Sequence, residues 1–554
     1  MTATLTHRLA SLTRLRPPRA GVEAARVLAP TVCAALVFAS GVIMLISAAT
    51  PDFAGRLRLI SALEPAEAIE TSHFVTSLTA VALLFLAFGL RNRLLKAWRA
   101  AVAALLVAAA ATLAKGLNYE EALFLSSVNM VLVLARPAFY RTAPLRSAPL
   151  TRAGAAIILA TLVAMGWLGF FAYKHVEYRD DLWWTFVADQ GAPRFLRGAV
   201  GAAVLTLVLF AWRLASHDAR PATPSHAPCT AAIDAVMAGA QDAKPDANLA
   251  YLGDKLFLFS ASGASLIQYA ARGRTWVAMG EPVGLAEERR EMIWAFRELC
   301  DRHGARPAFY SVRREHIADF IDCGLVVAKI GERALVDLTD FSIEGPRRAP
   351  LRHAVNRGRR EGMTFEVVPP EDFDALEPAL RAISDAWLAG HSGSEKGFSL
   401  GRFDPAYLRR FPTAVIRRDG EITAFANLWR TSDGSTLAID LMRHPPGAKG
   451  VMDYLFTELM LWGRERGFSR FDLGMAPLSG LESRRLAPTI ARIGAAVYAG
   501  GGKLYGFEGL RAFKSKFLPK WEGSYMAASS AWLLPRALGD AALLSAGGLF
   551  KLFR

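Results

Sequence analysis

TAVIRRDGEITAFANLWR, residues Thr413 to Arg430, followed by TLAIDLMRH, residues Thr436 to His444, decides how this chain is read. Two β-rich runs, 413–417 and 421–430, flank Asp419-Gly420. Asp-Gly between such runs signals a tight hairpin, because both central turn residues need positive φ. The run 436–441 adds a third strand and ends at Asp440-Leu-Met-Arg443. Apolar spacing then predicts a helix over 451–466 and a strand over 470–473. Strands and helices in this order make a mixed α/β unit.

Upstream, the same unit starts with a strand at 364–368 and a helix at 371–389. Before it, strands are expected at 256–260, 275–279, 308–312 and 325–330, with helices at 287–303 and 313–322. Two consecutive α/β units of similar size suggest a duplicated fold. The polar, proline-rich stretch SHDARPATPSHAP, residues 216–228, reads as a linker. The chain before it carries the apolar excess. The chain has 554 residues and is 53% hydrophobic, and most of that excess precedes residue 215. Six membrane spans are read at 27–49, 71–90, 98–114, 121–135, 154–173 and 195–214, the third and fourth being short. No cleavable signal peptide is read, and the first apolar run is taken as a retained span. Arginines crowd the N-terminus (Arg8, Arg14, Arg16, Arg19, Arg26) and the loops after the second and fourth spans, which places the N-terminus in the cytoplasm. Six spans return the second half to that side. The expected organisation is therefore an α-helical membrane domain (1–215), a linker (216–229), two α/β subdomains (230–345 and 346–535) and a C-terminal helix or tail (536–554).

A net charge of +15 on a membrane protein points to two anionic partners, lipid headgroups and nucleic acid. Cys33, Cys229, Cys300 and Cys323 show neither metal spacing nor a disulfide framework. Asp440 and Arg443 sit at a strand end, where α/β units commonly build sites. The carboxylate there can accept a proton or hold an ammonium, and the guanidinium can hold a phosphate. A structural ion pair is the equal alternative. The block 507–521 sets Arg511, Lys514 and Lys516 among Phe507, Phe513, Phe517 and Trp521, which suits phosphate and base contacts. Its phenylalanines fit a core-facing helix stripe better than a ligand site. The arginine-rich stretch 347–360 reads equally as a nucleic-acid or lipid contact and as a solvated helix face. Glu395-Lys396-Gly-Phe-Ser-Leu-Gly401, after His391-Ser-Gly-Ser, reads as a loop able to close over a substrate or as an ordinary connection. Gly447-Ala-Lys-Gly450 is a weak phosphate signal before a helix. With no metal set and no nucleophile elbow in view, the expected chemistry rests on positioning and electrostatics, and no cofactor is expected.

These residues resemble the aminoacyl-phosphatidylglycerol synthases of the multiple peptide resistance factor family. The resemblance is carried by KGLNYEEA (115–122), Trp183-Trp184-Thr-Phe, APRFLR (192–197), GEPVG (280–284), the 395–401 loop, 440–444, DLGMAPLSG (472–480) and 507–521. It implies a tandem acetyltransferase-like (GNAT) fold. The implied reaction is transfer of a lysyl or alanyl group from aminoacyl-tRNA to phosphatidylglycerol in the bilayer of a bacterial inner membrane. The more cationic product would resist cationic antimicrobial peptides. The family's catalytic pair falls on Asp440 and Arg443, and its functional lysine on Lys514 or Lys516. Arg511, Glu395, Lys396 and His444 are the further substrate-binding candidates. Self-association is left open. An acyl-CoA-dependent acyltransferase, and a lipid flippase or scaffold with an inactive second half, are the alternatives.

Overall fold

The computed structural model describes residues 19–50, 66–116, 118–145, 151–172, 174, 191–215, 230–240, 242–390, 395–448, 450–500 and 507–547. The expected linker at 216–229, Trp183-Trp184, His391-Ser-Gly-Ser, Lys449 and the last residues of the tail, 548–554, lie outside them. The chain forms two compact units, Met1–Ala222 with Arg302–Gly304, and Thr223–Asp301 with Ala305–Arg554.

The first unit is helical: α1 (Arg19–Ala49), α2 (Ala66–Arg91), α3 (Leu95–Gly116), α4 (Tyr119–Leu134), α5 (Arg152–Ala172) and α6 (Gly191–Ala215). Helix α2 packs on α1, α3 and α6. Small residues permit this closeness, since a Cβ on Gly41 of α1 would sit 2.9 Å from the Ala80 carbonyl of α2. Leu159, Val163 and Trp167 on α5, and Leu207 on α6, point outward. Lipid tolerates such faces and water does not. Five helices, not the six expected, are long and apolar enough to cross a membrane among the described residues. The fourth expected span folds as α4, of 16 residues. At 1.5 Å per residue it is about 24 Å long, short of a hydrocarbon core of about 30 Å. Pro137 explains its early end, because a helix seldom runs through the residue before a proline. Trp98 Nε1 on α3 donates to the Leu132 carbonyl at 2.7 Å and ties α4 down.

The second unit is built on one eleven-stranded sheet. Its strands are β1 (Leu256–Phe259), β2 (Leu266–Arg272), β3 (Thr275–Met279), β4 (Arg306–Arg313), β5 (Val326–Asp337), β6 (Met363–Val368), β7 (Thr413–Arg418), β8 (Glu421–Arg430), β9 (Thr436–Arg443), β10 (Arg470–Pro477) and β11 (Lys520–Ala528). Their spatial order is β1-β2-β3-β4-β11-β5-β10-β9-β8-β7-β6. That order is a palindrome around the β11–β5 pair, with β6 as an extra edge strand. Each half is an antiparallel meander (β1–β3, β7–β9) and a helix, α8 (Arg289–His303) in the first half. A strand parallel to the last meander strand then follows, β4 beside β3 and β10 beside β9. The final strand of each half crosses over: β5 pairs with β10 and β11 with β4. This is the duplicated acetyltransferase-like plan, with its terminal strands exchanged.

The remaining helices cover the sheet: α7 (Thr230–Gly239), α9 (Ile317–Asp322), α10 (Ala349–Arg360), α11 (Phe373–Gly390), α12 (Pro405–Leu408), α13 (Val451–Glu465), α14 (Thr489–Gly500), α15 (Phe507–Ser515) and α16 (Leu534–Ala546). One face packs under α11 and α16 through Phe373, Leu380, Leu441, Leu534 and Ala541. The other face of the second half packs under α10, α13 and α15 through Val355, Leu455, Phe471 and Phe517. The arginine-rich stretch is therefore a helix with one core face. Its Arg352 bonds the Ile343 and Gly345 carbonyls, and Arg357 pairs with Glu361. The expected C-terminal helix is present as α16 and packs on the sheet, since Leu534, Ala537 and Ala541 are buried.

Candidate active site

The meander strand β9 does not run regularly. Ala426 faces Met442 and Leu428 faces Ile439, so β9 carries one more residue than β8 between these pairs. Asn427 Oδ1 fills the bulge by accepting the Leu441 N–H at 2.7 Å. A bulge reverses the alternation of side chains. Ile439 and Met442 accordingly enter the core on one face, while Leu441 enters the core on the other. Asp440 and Arg443, three residues apart, thereby come to the same side of the sheet. In a regular strand they would point to opposite faces.

Beside them the sheet opens. β9 and β10 pair only at Thr436, Leu437 and Ala438 with Arg470, Phe471 and Asp472. Beyond Asp472, β10 follows β5 through its own irregularity to Met475, and no pairing with β9 resumes. Asp440 stands where the two strands part. Its Oδ1 accepts the Gly401 N–H at 2.7 Å and its Oδ2 accepts the Tyr407 hydroxyl at 2.8 Å. Trp429 Nε1 in turn donates to the Tyr407 oxygen at 3.1 Å. Burial raises the Asp440 carboxyl to about 6, against the opposing pull of those two donors and of the Lys255 and Arg443 charges.

Arg443 makes no ion pair with Asp440. Its Nη2 bonds Glu395 Oε2 at 3.0 Å, and its guanidinium lies 3.9 Å from the Trp387 ring centre. Its Nε is buried with no hydrogen-bond partner. An orphaned guanidinium N–H is a donor left for a phosphate or carbonyl oxygen that reaches it. Glu395 and the half-buried Lys396 belong to the expected loop, which is anchored at three points. Gly397 N–H bonds the Ser545 carbonyl, Phe398 N–H bonds Asp254 Oδ2 at 2.7 Å, and Gly401 N–H bonds Asp440. A Cβ at Gly401 would overlap the Asp440 carboxylate. His444 is half-buried, its Nδ1 2.9 Å from the Pro445 carbonyl.

The cationic block divides. Lys514 is buried, its Nζ donating to the Met475 carbonyl at 2.9 Å on the β10 bank. Burial lowers its ammonium to about 8, opposed by Asp472 and reinforced by Arg333. Lys516 is exposed and pairs with Asp453 of α13 at 2.8 Å. Arg511 pairs with Glu332 and lies over the Trp521 ring at 4.5 Å. Phe513 and Phe517 pack on Phe456 in the core, as the helical stripe implied.

Sequence reasoning missed Tyr407, Asn427, Trp387 and Lys255. Lys255 comes from the first half, where its Nζ bonds Asp254 at 2.6 Å and the Leu249 carbonyl at 3.1 Å. Asp404-Pro405 signalled the start of the short helix α12, and Asp404 does cap it. Nothing in that signal says where Tyr407 points.

The family described as phosphatidylglycerol lysyltransferase, C-terminal, matches residues 235–528. Phosphatidylglycerol lysyltransferase of Bacillus subtilis is 39% identical over 282 residues, 50% of this chain and 33% of that protein. The Staphylococcus epidermidis (strain ATCC 12228) protein of the same name is 28% identical over 416 residues, 74% of this chain and 48% of its own length. This chain thus spans about a third to a half of the curated relatives it matches. The C-terminal domain of a putative lysylphosphatidylglycerol synthetase from Agrobacterium fabrum superposes with a TM-score of 0.53 at 42% identity, over 58% of this chain and 99% of that one. The L-PGS structure from Bacillus licheniformis gives 0.52 at 37% identity, with the same coverage. On a match over more than half its length, the chain belongs to the phosphatidylglycerol lysyltransferase C-terminal family.

Proposed function

We propose that the chain transfers an aminoacyl group from aminoacyl-tRNA to the glycerol hydroxyl of phosphatidylglycerol. The observation that carries this is Asp440, a desolvated carboxylate at the gap between β9 and β10, on the same side of the sheet as an arginine with an orphaned N–H. With its carboxyl at about 6, Asp440 is mostly ionised at neutral pH and still basic enough to take a proton. The lipid hydroxyl loses its proton to Asp440 as its oxygen attacks the aminoacyl ester carbonyl. The carbonyl–ribose bond breaks, and the ribose oxygen takes the proton back from Asp440. One ester replaces another, so the step needs no energy source beyond the charged tRNA. Arg443 holds a phosphate or the developing oxyanion, and Lys514 supplies a second cation from the β10 bank. An alternative role for Asp440 is to anchor the α-ammonium of the aminoacyl group.

The names of the relatives favour lysine as the transferred residue, with alanine the competing choice. The five apolar helices support a place in a bacterial inner membrane. A tRNA substrate is met on the cytoplasmic side, which supports a cytoplasmic position for the second unit. The test supplies membranes holding the full chain with labelled lysyl- or alanyl-tRNA and analyses the extracted lipids. Wild type should yield labelled aminoacyl-phosphatidylglycerol that RNase abolishes and Asp440→Ala lacks. Undiminished product from that variant overturns the assignment, and an RNase-resistant, acyl-CoA-dependent product would favour the acyl-CoA reading instead.

A further inference from the structure

Helix α14 covers only part of its apolar face. Ile490 enters the core, and Gly494 is buried so closely that a Cβ would sit 2.5 Å from Leu481. Ile493 and Val497 lie on the same apolar face, along its uncovered edge, where Ile493 is 58% exposed and Val497 48%, and Leu486 in the preceding turn is 95% exposed. Ile493 and Val497 are four apart and form one stripe. Arg484 and Arg485 are exposed in the preceding turn, and Arg492 is exposed on the polar side of the helix. The one acid between residues 481 and 500, Glu482, lies 3.6 Å from Arg484, which leaves the segment net cationic. The helix packs against β5 and against α15, which carries Lys514.

An apolar stripe bordered by arginines is the pattern of a helix that lies in a membrane interface, with its apolar side among acyl chains and its cations among anionic headgroups. We infer that the segment Glu482–Gly500 docks the second unit on an anionic bilayer surface, so that phosphatidylglycerol is drawn out beside the Lys514 helix. This rests on the proposed reaction for its lipid substrate. The occupant is lipid rather than RNA because Leu486, Ile493 and Val497 stand foremost, with no aromatic ring at those positions on which a base could stack.

The test uses the full chain in nanodiscs. An environment-sensitive dye is attached at Ile493→Cys in a Cys229→Ser background, since Cys33, Cys300 and Cys323 are buried. In discs rich in phosphatidylglycerol, the dye should shift to the blue and be quenched by brominated acyl chains. Quenching should drop at least threefold in phosphatidylcholine discs and when Arg484→Glu and Arg485→Glu are combined. A dye at exposed Ile321 of α9 should stay unquenched. Equal absence of quenching in both discs overturns the inference, as does a signal that changes only on adding tRNA. Aminoacyl-lipid synthesis is measured on the same discs. Quenching without synthesis leaves docking standing and removes the proposed reaction, whereas synthesis without quenching removes docking alone.

Discussion

The parallel pairs β3–β4 and β9–β10 occupy equivalent places in the two halves of one sheet, yet they end differently. In the first half the pairing runs from Thr275 with Arg306 through Met279 with Tyr310, and Gly280 N–H continues it to the Tyr310 carbonyl at 2.8 Å. In the second half it stops after Ala438 with Asp472. Counting from the first pair in each half sets Met279 in the place of Asp440. Past that point the first half is lined by ion pairs. Glu281 accepts the Arg313 Nε at 3.0 Å and stands 2.7 Å from His316 Nδ1, and Arg333 bridges Asp246 and Asp472 nearby. The same strand plan therefore yields a parallel ladder that runs on into a cluster of ion pairs in one copy and a ladder that breaks off in the other. What separates them is the bulge in β9 and the slip of β10 at Asp472, since β4 slips against β11 only past Tyr310, after its pairing with β3 is complete. The candidate site in this fold stands where the parallel ladder is cut short, and the other copy keeps that ladder to its end.

The sharpest way to break this comparison is to neutralise Asp440. Asp440→Asn should lower the rate of aminoacyl-lipid formation by about a thousandfold, within the range of a lost general base. Met279→Leu at the equivalent position should change it less than about twofold. If both variants behave alike, the two halves do not differ in the way their ladders suggest. Gly401→Ala comes next, with an expected loss of about a hundredfold. The new methyl displaces either the loop or the carboxylate, and a misplaced group of this kind commonly costs about that much. Circular dichroism should show an unchanged fold.

The cationic block gives the third contrast, inside one helix and its end. Lys514→Met should cut the rate by about 10- to 30-fold, and Lys516→Met by less than about threefold, since an exposed pair such as Lys516–Asp453 contributes little. Comparable losses from both would mean that burial at the β10 bank is not what makes the lysine functional.

Much of this architecture was legible because it is local. The Asp-Gly hairpin, the third meander strand and the crossover helices follow from turn chemistry and periodicity. Strands β2 and β11 were not read, and with β11 went the strand exchange. Pairing Lys520–Ala528 with Val326–Leu335 joins segments nearly two hundred residues apart, and no local period encodes that. The neighbourhood of Asp440 and Arg443 was legible as a spacing, but not the reason they share a side. That depends on Asn427 of the adjacent strand filling the bulge. The ion-pair alternative for Asp440 and Arg443 gave way to separate partners because Tyr407 and Glu395 arrive from segments whose aim no motif records.

The finest contrast lies within the Asp440 pocket itself. Tyr407 donates to the carboxylate and so favours its ionised form, which holds the carboxyl below the value burial alone would set. Removing that donor should raise it further. For a reaction needing the carboxylate, the rate rises with pH through the carboxyl's value, about 6 in the wild type. With a protonated Lys514 also required, the rate falls again above about 8. Tyr407→Phe should therefore move the acidic limb to higher pH by up to about one unit, leave the alkaline limb in place, and lower the plateau only about threefold. Stability carries the same sign. A carboxyl raised in the folded state destabilises that state once it ionises, so the melting temperature of the wild type should fall between about pH 4 and pH 7 relative to Asp440→Asn. A profile that Tyr407→Phe shifts toward acid, or leaves unmoved, would show that the phenol holds Asp440 in place without governing its charge. The ammonium-anchor role would then be the better account of this carboxylate.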